Sequence, residues 1–369
     1  MKLLIACDSF KGTLSSHEIG TIISNNLYSI SPQIEVEVVP LADGGEGTLT
    51  CLTNQDSIFH EINVCGVNQV RVKAKIAFDK DTAIIEMAQA NGITLSKILD
   101  PFSAATTGCG ELIQYALNQG YRKFIIGLGG SATNDLGLSM LECLGIRFYS
   151  NHEIIHPLLM NFEKIDAIDF SNFDSRIHES EFIIASDVKN PLTGTQGATA
   201  IFGPQKGLRK DEIDFVDSQL LRLAKLLCSS LSIPFTEEPG DGAAGGLGFT
   251  FRNCFNAQMK HGIGLISDIL HLEDKIKKAD LIITGEGKMD LQTLQGKAPY
   301  GVLTLAKKHN KKIIGLCGCV ENKEELLNAG FDAIYPLVDE VTTFTSATTN
   351  PLEVIEKRLQ QIMEDLKHE

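Results

Sequence analysis

With 369 residues, the chain exceeds what one hydrophobic core usually supports, so two domains are expected. Its 43% hydrophobic and 22% charged content is that of an ordinary globular protein. A formal net charge of −14 excludes a non-specific nucleic-acid or anionic-membrane binder, and it demands local cations wherever an acidic ligand binds.

Leu3 to Cys7 is a short apolar run ending at Asp8, which predicts a buried strand and is too brief for a signal sequence. Ser15-Ser16-His17-Glu18 has capping-box spacing, and Ile19, Ile22, Ile23 and Leu27 continue it at helical period. Ile34 to Val39 reads as a second strand, which completes the opening of a parallel α/β unit. Residues 58–87 alternate instead, at Ile62/Val64, Val70/Val72 and Ile76/Phe78, and predict a small antiparallel set. Thr107 is expected to cap a helix carrying Leu112, Ile113, Ala116 and Leu117, stopped by Gly120.

Lys123 to Leu128 and Glu181 to Ala185 predict further buried strands, and 211–231 an amphipathic helix. Strands are then expected at Asp280–Thr284, Lys312–Leu316 and Ala333–Leu337, with helices at about 299–309 and 321–329. Asn350 and Pro351 open a last helix. No stretch approaches the roughly 18 apolar residues of a spanning helix. The nine cysteines form no CxxC, Cys317 and Cys319 being the closest pair, so neither a disulfide framework nor a zinc site is indicated and a cytoplasmic protein is expected. The expected fold is α/β with two α/β domains. Residues 1–60 and 275–369, with room for 106–135, form a discontinuous Rossmann-like domain, and 61–274 an inserted mixed α/β domain.

The 33 glycines collect where strands end: Asp43-Gly44-Gly45-Glu46-Gly47-Thr48, Gly129-Gly130-Ser131-Ala132-Thr133-Asn134-Asp135, Gly240 to Gly246, and Gly285-Glu286-Gly287-Lys288. Such loops let backbone N–H groups approach an oxyanion. Any one of them alone is most simply turn geometry, but four together point to a polyanion. Walker A, protein-kinase and GxGxxG patterns are absent. Asp8, Asp43, Asp187 and Glu286 fall at or near strand ends, where carboxylates hold Mg²⁺ or accept a hydroxyl proton. Lys11, Lys206, Lys288 and Lys297 each lie beside glycine, where an ammonium and a turn can share one anion. Phosphoryl transfer requires this mixture of cations, N–H groups and a positioned carboxylate.

Asp8-Ser9-Phe10-Lys11-Gly12, Ala42 to Thr48, Thr107 to Ile113, Gly129 to Asp135, Asp187-Val188-Lys189-Asn190-Pro191-Leu192, Phe202 to Gly207, Gly242 to Gly248 and Ile283 to Gly287 stand in one order. In that order they resemble the signature blocks of bacterial glycerate kinases, over residues 1 to about 365. The resemblance implies transfer of the ATP γ-phosphate to D-glycerate with Mg²⁺, with 2-phosphoglycerate as product ahead of 3-phosphoglycerate. It implies an active site in a cleft between two α/β domains, and it leaves room for a homodimer.

Carried over, Asp187 and Asp43 become candidates for activating the substrate hydroxyl, and Lys11 a catalytic candidate that contacts an anion. Asp8, Ser131, Asn134, Lys206, Gly245, Glu286 and Lys297 become substrate or nucleotide contacts, and Asp187 and Glu286 metal ligands. Cys7, Leu136, Ser186 and Lys288 depart from the family's usual residues, the last without bidentate guanidinium geometry. Two rival functions remain: a kinase for another small hydroxy acid, such as tartronate or erythronate, and a non-catalytic sugar-acid sensor.

Overall fold

A short apolar strand with both faces covered by helices needs no alternation, and the three central strands of the first sheet, Lys2–Cys7, Leu281–Gly285 and Lys312–Cys317, are almost wholly buried in this way. The computed structural model describes residues 1–10, 12–339 and 342–368. The chain divides into two compact units: Met1–Asp43, Thr50–Leu52 and Gly262–Glu369 form the first, Gly44–Leu49 and Thr53–His261 the second.

In the first unit, Lys2–Cys7, Glu35–Val38, Leu281–Gly285, Lys312–Cys317 and Ala333–Pro336 form one parallel sheet. Numbered along the unit, their spatial order is 2-1-3-4-5, a doubly wound arrangement. The Ser16–Ile30 helix starts with the expected capping box. Ser15 Oγ accepts from Glu18 N at 3.2 Å, and Glu18 Oε2 accepts from Ser15 N at 2.8 Å. Ile19, Ile23 and Leu27 from this helix pack with Leu3, Ile5, Ile283, Ile314, Ile355 and Leu359 in one core. The last helix runs Pro351–His368.

The second unit holds a six-stranded mixed sheet. Gln258–Lys260, Glu181–Ala185, Lys123–Gly127 and Thr82–Glu86 are parallel neighbours, and Arg71–Asp79 and Ile58–Cys65 continue the sheet antiparallel. Its core is richer in aromatics, with Phe124 stacked on Phe182 at 4.6 Å between centroids. A three-stranded sheet of Arg147–Ser150, Glu153–Ile154 and Ala167–Asp169 was not expected, because strands this short carry no readable period.

One cap is corrected. The helix Thr107–Asn118 has Thr106, not Thr107, at its N-cap, and no side chain caps it. Thr106 Oγ1 donates instead to buried Asp135 Oδ2 at 2.8 Å, a tertiary contact that outcompetes the local one. Among the described residues no helix is long and apolar enough to cross a membrane.

Candidate active site

In an open α/β sheet the carboxyl ends of the strands face a crevice where the strand order reverses, here between Lys2–Cys7 and Leu281–Gly285. The two ends are tied together: Asp8 N donates to Gly285 O at 2.8 Å, and Leu41 N donates to Cys7 O at 3.0 Å, which leads the chain on to Asp43. Gly285 is required at this point, since a Cβ there would lie 1.6 Å from Leu316 O.

A cavity of about 330 Å³ opens at this end of the first unit, with Ser9, Phe10, Glu286, Lys288, Lys297 and Phe344 among its walls. Glu286 is only 8% exposed, and both of its oxygens are engaged. Thr293 Oγ1 donates to Oε1 at 2.7 Å, and Lys297 Nζ donates to Oε2 at 3.2 Å. Thr293 Oγ1 itself accepts from Asp290 N at 3.0 Å, so its proton is directed at the glutamate. Asp8 is buried and accepts from Ser9 N at 2.6 Å. Lys288 is drawn to Glu321 at 2.9 Å and Asp290 at 3.5 Å. Lys11 lies outside the described residues.

In the second unit, three strand-end loops converge backbone to backbone. Gly129 N donates to Gly44 O at 3.1 Å, and Leu128 N donates to Ala185 O at 3.2 Å. A Cβ on Gly129 would stand 2.3 Å from Gly45 Cα, and glycine alone permits that approach. Buried Glu86 fixes the first loop, its Oε2 accepting from Gly47 N at 3.1 Å and Leu49 N at 3.3 Å. Burial raises the pKa of Glu86 even though these donors hold it down.

Lys206, 2% exposed, grips the Gly129–Asp135 loop. Its Nζ donates to Ser131 Oγ at 2.8 Å and to Thr133 O at 2.7 Å. Burial pushes this ammonium down to about 7, against the opposing pull of the Asp135 charge. Asp135, equally buried, is pushed upward by desolvation, while Thr106 donates to it through both N–H and hydroxyl. Asn134 Nδ2 donates to Thr199 Oγ1 at 3.1 Å. Gly245 closes on the same loop at φ +70°, where a Cβ would sit 2.2 Å from Thr133 O.

Ser131, Val188, Gln205 and Lys206 line a cavity of about 200 Å³ beside this loop. Asp187 follows the Glu181–Ala185 strand, with His261 Nδ1 3.5 Å from its Oδ1. Its neighbours Ser186, Val188 and Lys189 line a further opening of about 180 Å³.

Asp8, Asp43, Glu286 and Lys297 thus belong to the first unit, and Ser131, Asn134, Lys206, Gly245 and Asp187 to the second. Sequence reasoning missed Glu86, Thr293, Thr199 and the holding role of Asp135. The Asp290-to-Thr293 spacing was the one readable signal, a local turn pattern. The Thr107–Ile113 block has a packing role: Glu111 accepts from Cys65 N and Arg71 Nη1, and a Cβ on Gly108 would meet Cys65 O at 2.1 Å.

Among the described residues, no group of three or more His, Cys, Asp or Glu side chains is placed to hold a metal. This fits Mg²⁺ only in its usual nucleotide-borne form, which takes most of its ligands from phosphate and water and one or two from carboxylates.

Glycine loops at the ends of parallel strands, mixed with lysine and carboxylate, place the protein in the class of α/β proteins that handle phosphorylated ligands. Comparison with known proteins gives the particular member of that class. The glycerate kinase family profile matches residues 3–367. Glycerate kinase of Bacillus subtilis (strain 168) is 37% identical over 374 residues, covering 100% of this chain and 98% of the relative. Glycerate 2-kinase of Escherichia coli (strain K12) is 37% identical over 355 residues, covering 94% and 93%. A Salmonella typhimurium LT2 crystal structure described as glycerate kinase 2 superposes with a TM-score of 0.85 at 37% identity, covering 100% and 98%. The chain belongs to the glycerate kinase family, and so to the ATP-dependent phosphotransferases that act on an alcohol group.

Proposed function

We propose that the chain transfers the γ-phosphoryl group of ATP to the 2-hydroxyl of D-glycerate, giving 2-phosphoglycerate and ADP, in the cytoplasm. The observation that carries this reading is Lys206. An acidic chain keeps a lysine 2% exposed against a glycine-rich loop, with no carboxylate at ion-pair distance among the described residues. A buried ammonium is costly unless something negative shares its site, and an anionic substrate supplies that partner. Choice of the 2-hydroxyl follows the name of the Escherichia coli relative.

Asp187 is the first choice to accept the hydroxyl proton, and Asp43 the second. As the glycerate oxygen bonds to phosphorus and the bond to the ADP oxygen breaks, that proton passes to the carboxylate. Ser131, Asn134 and Gly245 shape the loop held by Lys206, and Glu286 orients Lys297. Mg²⁺ arriving with ATP would neutralise phosphate charge, with Glu286 or Asp187 as its protein ligand.

An ADP-release assay over D-glycerate, tartronate and erythronate tests the reading. D-glycerate is expected to give the highest kcat/KM. Binding of D-glycerate with no ADP release would favour a sensor, and turnover confined to another acid would replace the substrate.

A further inference from the structure

Ser9 has a hydroxyl that the fold does not use. The residue is 8% exposed, and its Oγ has no hydrogen-bond partner among the described residues. Its backbone N–H is committed to Asp8 Oδ1 at 2.6 Å, so the main chain around the side chain is fixed. A buried hydroxyl left unpaired lowers stability, and positions that carry one call for a function.

Ser9 lies just beyond the Lys2–Cys7 strand and lines the 330 Å³ cavity at the point where the strand order reverses. That cavity has two kinds of wall. Lys297, paired with Glu286, is a cation within it, while Phe10, Leu14, Leu337 and Phe344 offer aromatic and aliphatic surface. A three-carbon acid has no group to place on such a surface. A nucleoside polyphosphate has both a planar base and phosphoryl oxygens, and doubly wound sheets bind nucleotides at this position.

We propose that this cavity of the first unit is the nucleotide subsite and that Ser9 Oγ donates to a phosphoryl oxygen there, an assignment that rests on the kinase reading above. Ser9 is then a binding residue whose cost to the empty protein is recovered when nucleotide arrives.

The orphaned hydroxyl gives a test that a structural serine would fail. ADP and, separately, D-glycerate are titrated calorimetrically into the wild type and Ser9→Ala, and both proteins are melted without ligand. Ser9→Ala should melt at or above the wild-type temperature, because no hydrogen bond is lost. ADP affinity should fall about 10-fold, as for a hydrogen bond to a charged group, while D-glycerate affinity stays within about twofold. Unchanged ADP affinity overturns the proposal. So does a lower melting temperature without ligand, which would make the serine structural, or a loss confined to D-glycerate, which would make this the acid subsite. A wild-type protein that does not bind ADP removes the kinase reading itself, an outcome distinct from a failure at Ser9.

Discussion

In the first unit the lysines at the strand ends remain in contact with water. Lys297 is 33% exposed beside Glu286, and Lys288 is 46% exposed between Asp290 and Glu321. In the second unit Lys206 is 2% exposed, has no such carboxylate contact among the described residues, and is pushed down to about 7 by burial. Both units follow the rule that ligands gather at the carboxyl ends of parallel strands. They differ in dielectric setting. A half-exposed ion pair is screened and contributes little by itself, whereas a buried ammonium is near neutrality and gains its full charge only when an anion joins it. Affinity and proton linkage should therefore concentrate in the second unit, and adjustable positioning in the first.

The sharpest way to break this comparison is Lys206→Met. Turnover should fall at least ~100-fold, the scale of losing a preorganised cationic contact. Stability against pH gives an independent reading. Unfolded Lys206 titrates near its ordinary 10.5 and folded Lys206 at about 7, so between these values the unfolded chain binds the extra proton. This group's contribution to stability therefore rises with pH from about 7 toward 10.5. Urea melts of the wild type should show that rise, and Lys206→Met should lack it. An identical pH profile in the two proteins would place the lysine in a wetter site than the structure shows.

Gly245→Ala should have the next largest effect. The left-handed backbone at φ +70° and the 2.2 Å approach to Thr133 O leave no room for a methyl group. The Gly129–Asp135 loop must shift, costing about 2 kcal/mol or more in chemical denaturation and at least ~10-fold in kcat/KM. The smallest effect is expected from Lys297→Ala. Stability should stay within ~1 kcal/mol, because Lys297 is itself partly exposed and Thr293 still donates to the buried Glu286. Steady-state kinetics should show KM for ATP rising more than kcat falls. A loss as deep as that of Lys206→Met would erase the contrast between the units.

The first unit was the more legible in sequence. Runs such as Leu3–Cys7 and 281–283 are apolar throughout because helices cover both faces, and the Ser15–Glu18 capping box is local chemistry. In the second unit the antiparallel alternation of 58–79 was readable, but the small sheet of 147–169 was not, and the Thr106–Asp135 contact moved a helix cap by one residue. At the site, composition marked the glycine loops and their lysines. It could not show that Lys206 is buried, that Glu86 anchors the Gly44–Leu49 loop, or that Thr293 directs Glu286. Each of these is set by contacts between segments brought together only by folding.

The most direct measurement is ³¹P and ¹³C NMR of the products formed from ATP, Mg²⁺ and D-glycerate. The expected products are ADP and 2-phosphoglycerate, the phosphorus coupled to the C2 carbon system. Unchanged D-glycerate would contradict the enzyme assignment, and a phosphate on the terminal carbon would contradict the assigned hydroxyl.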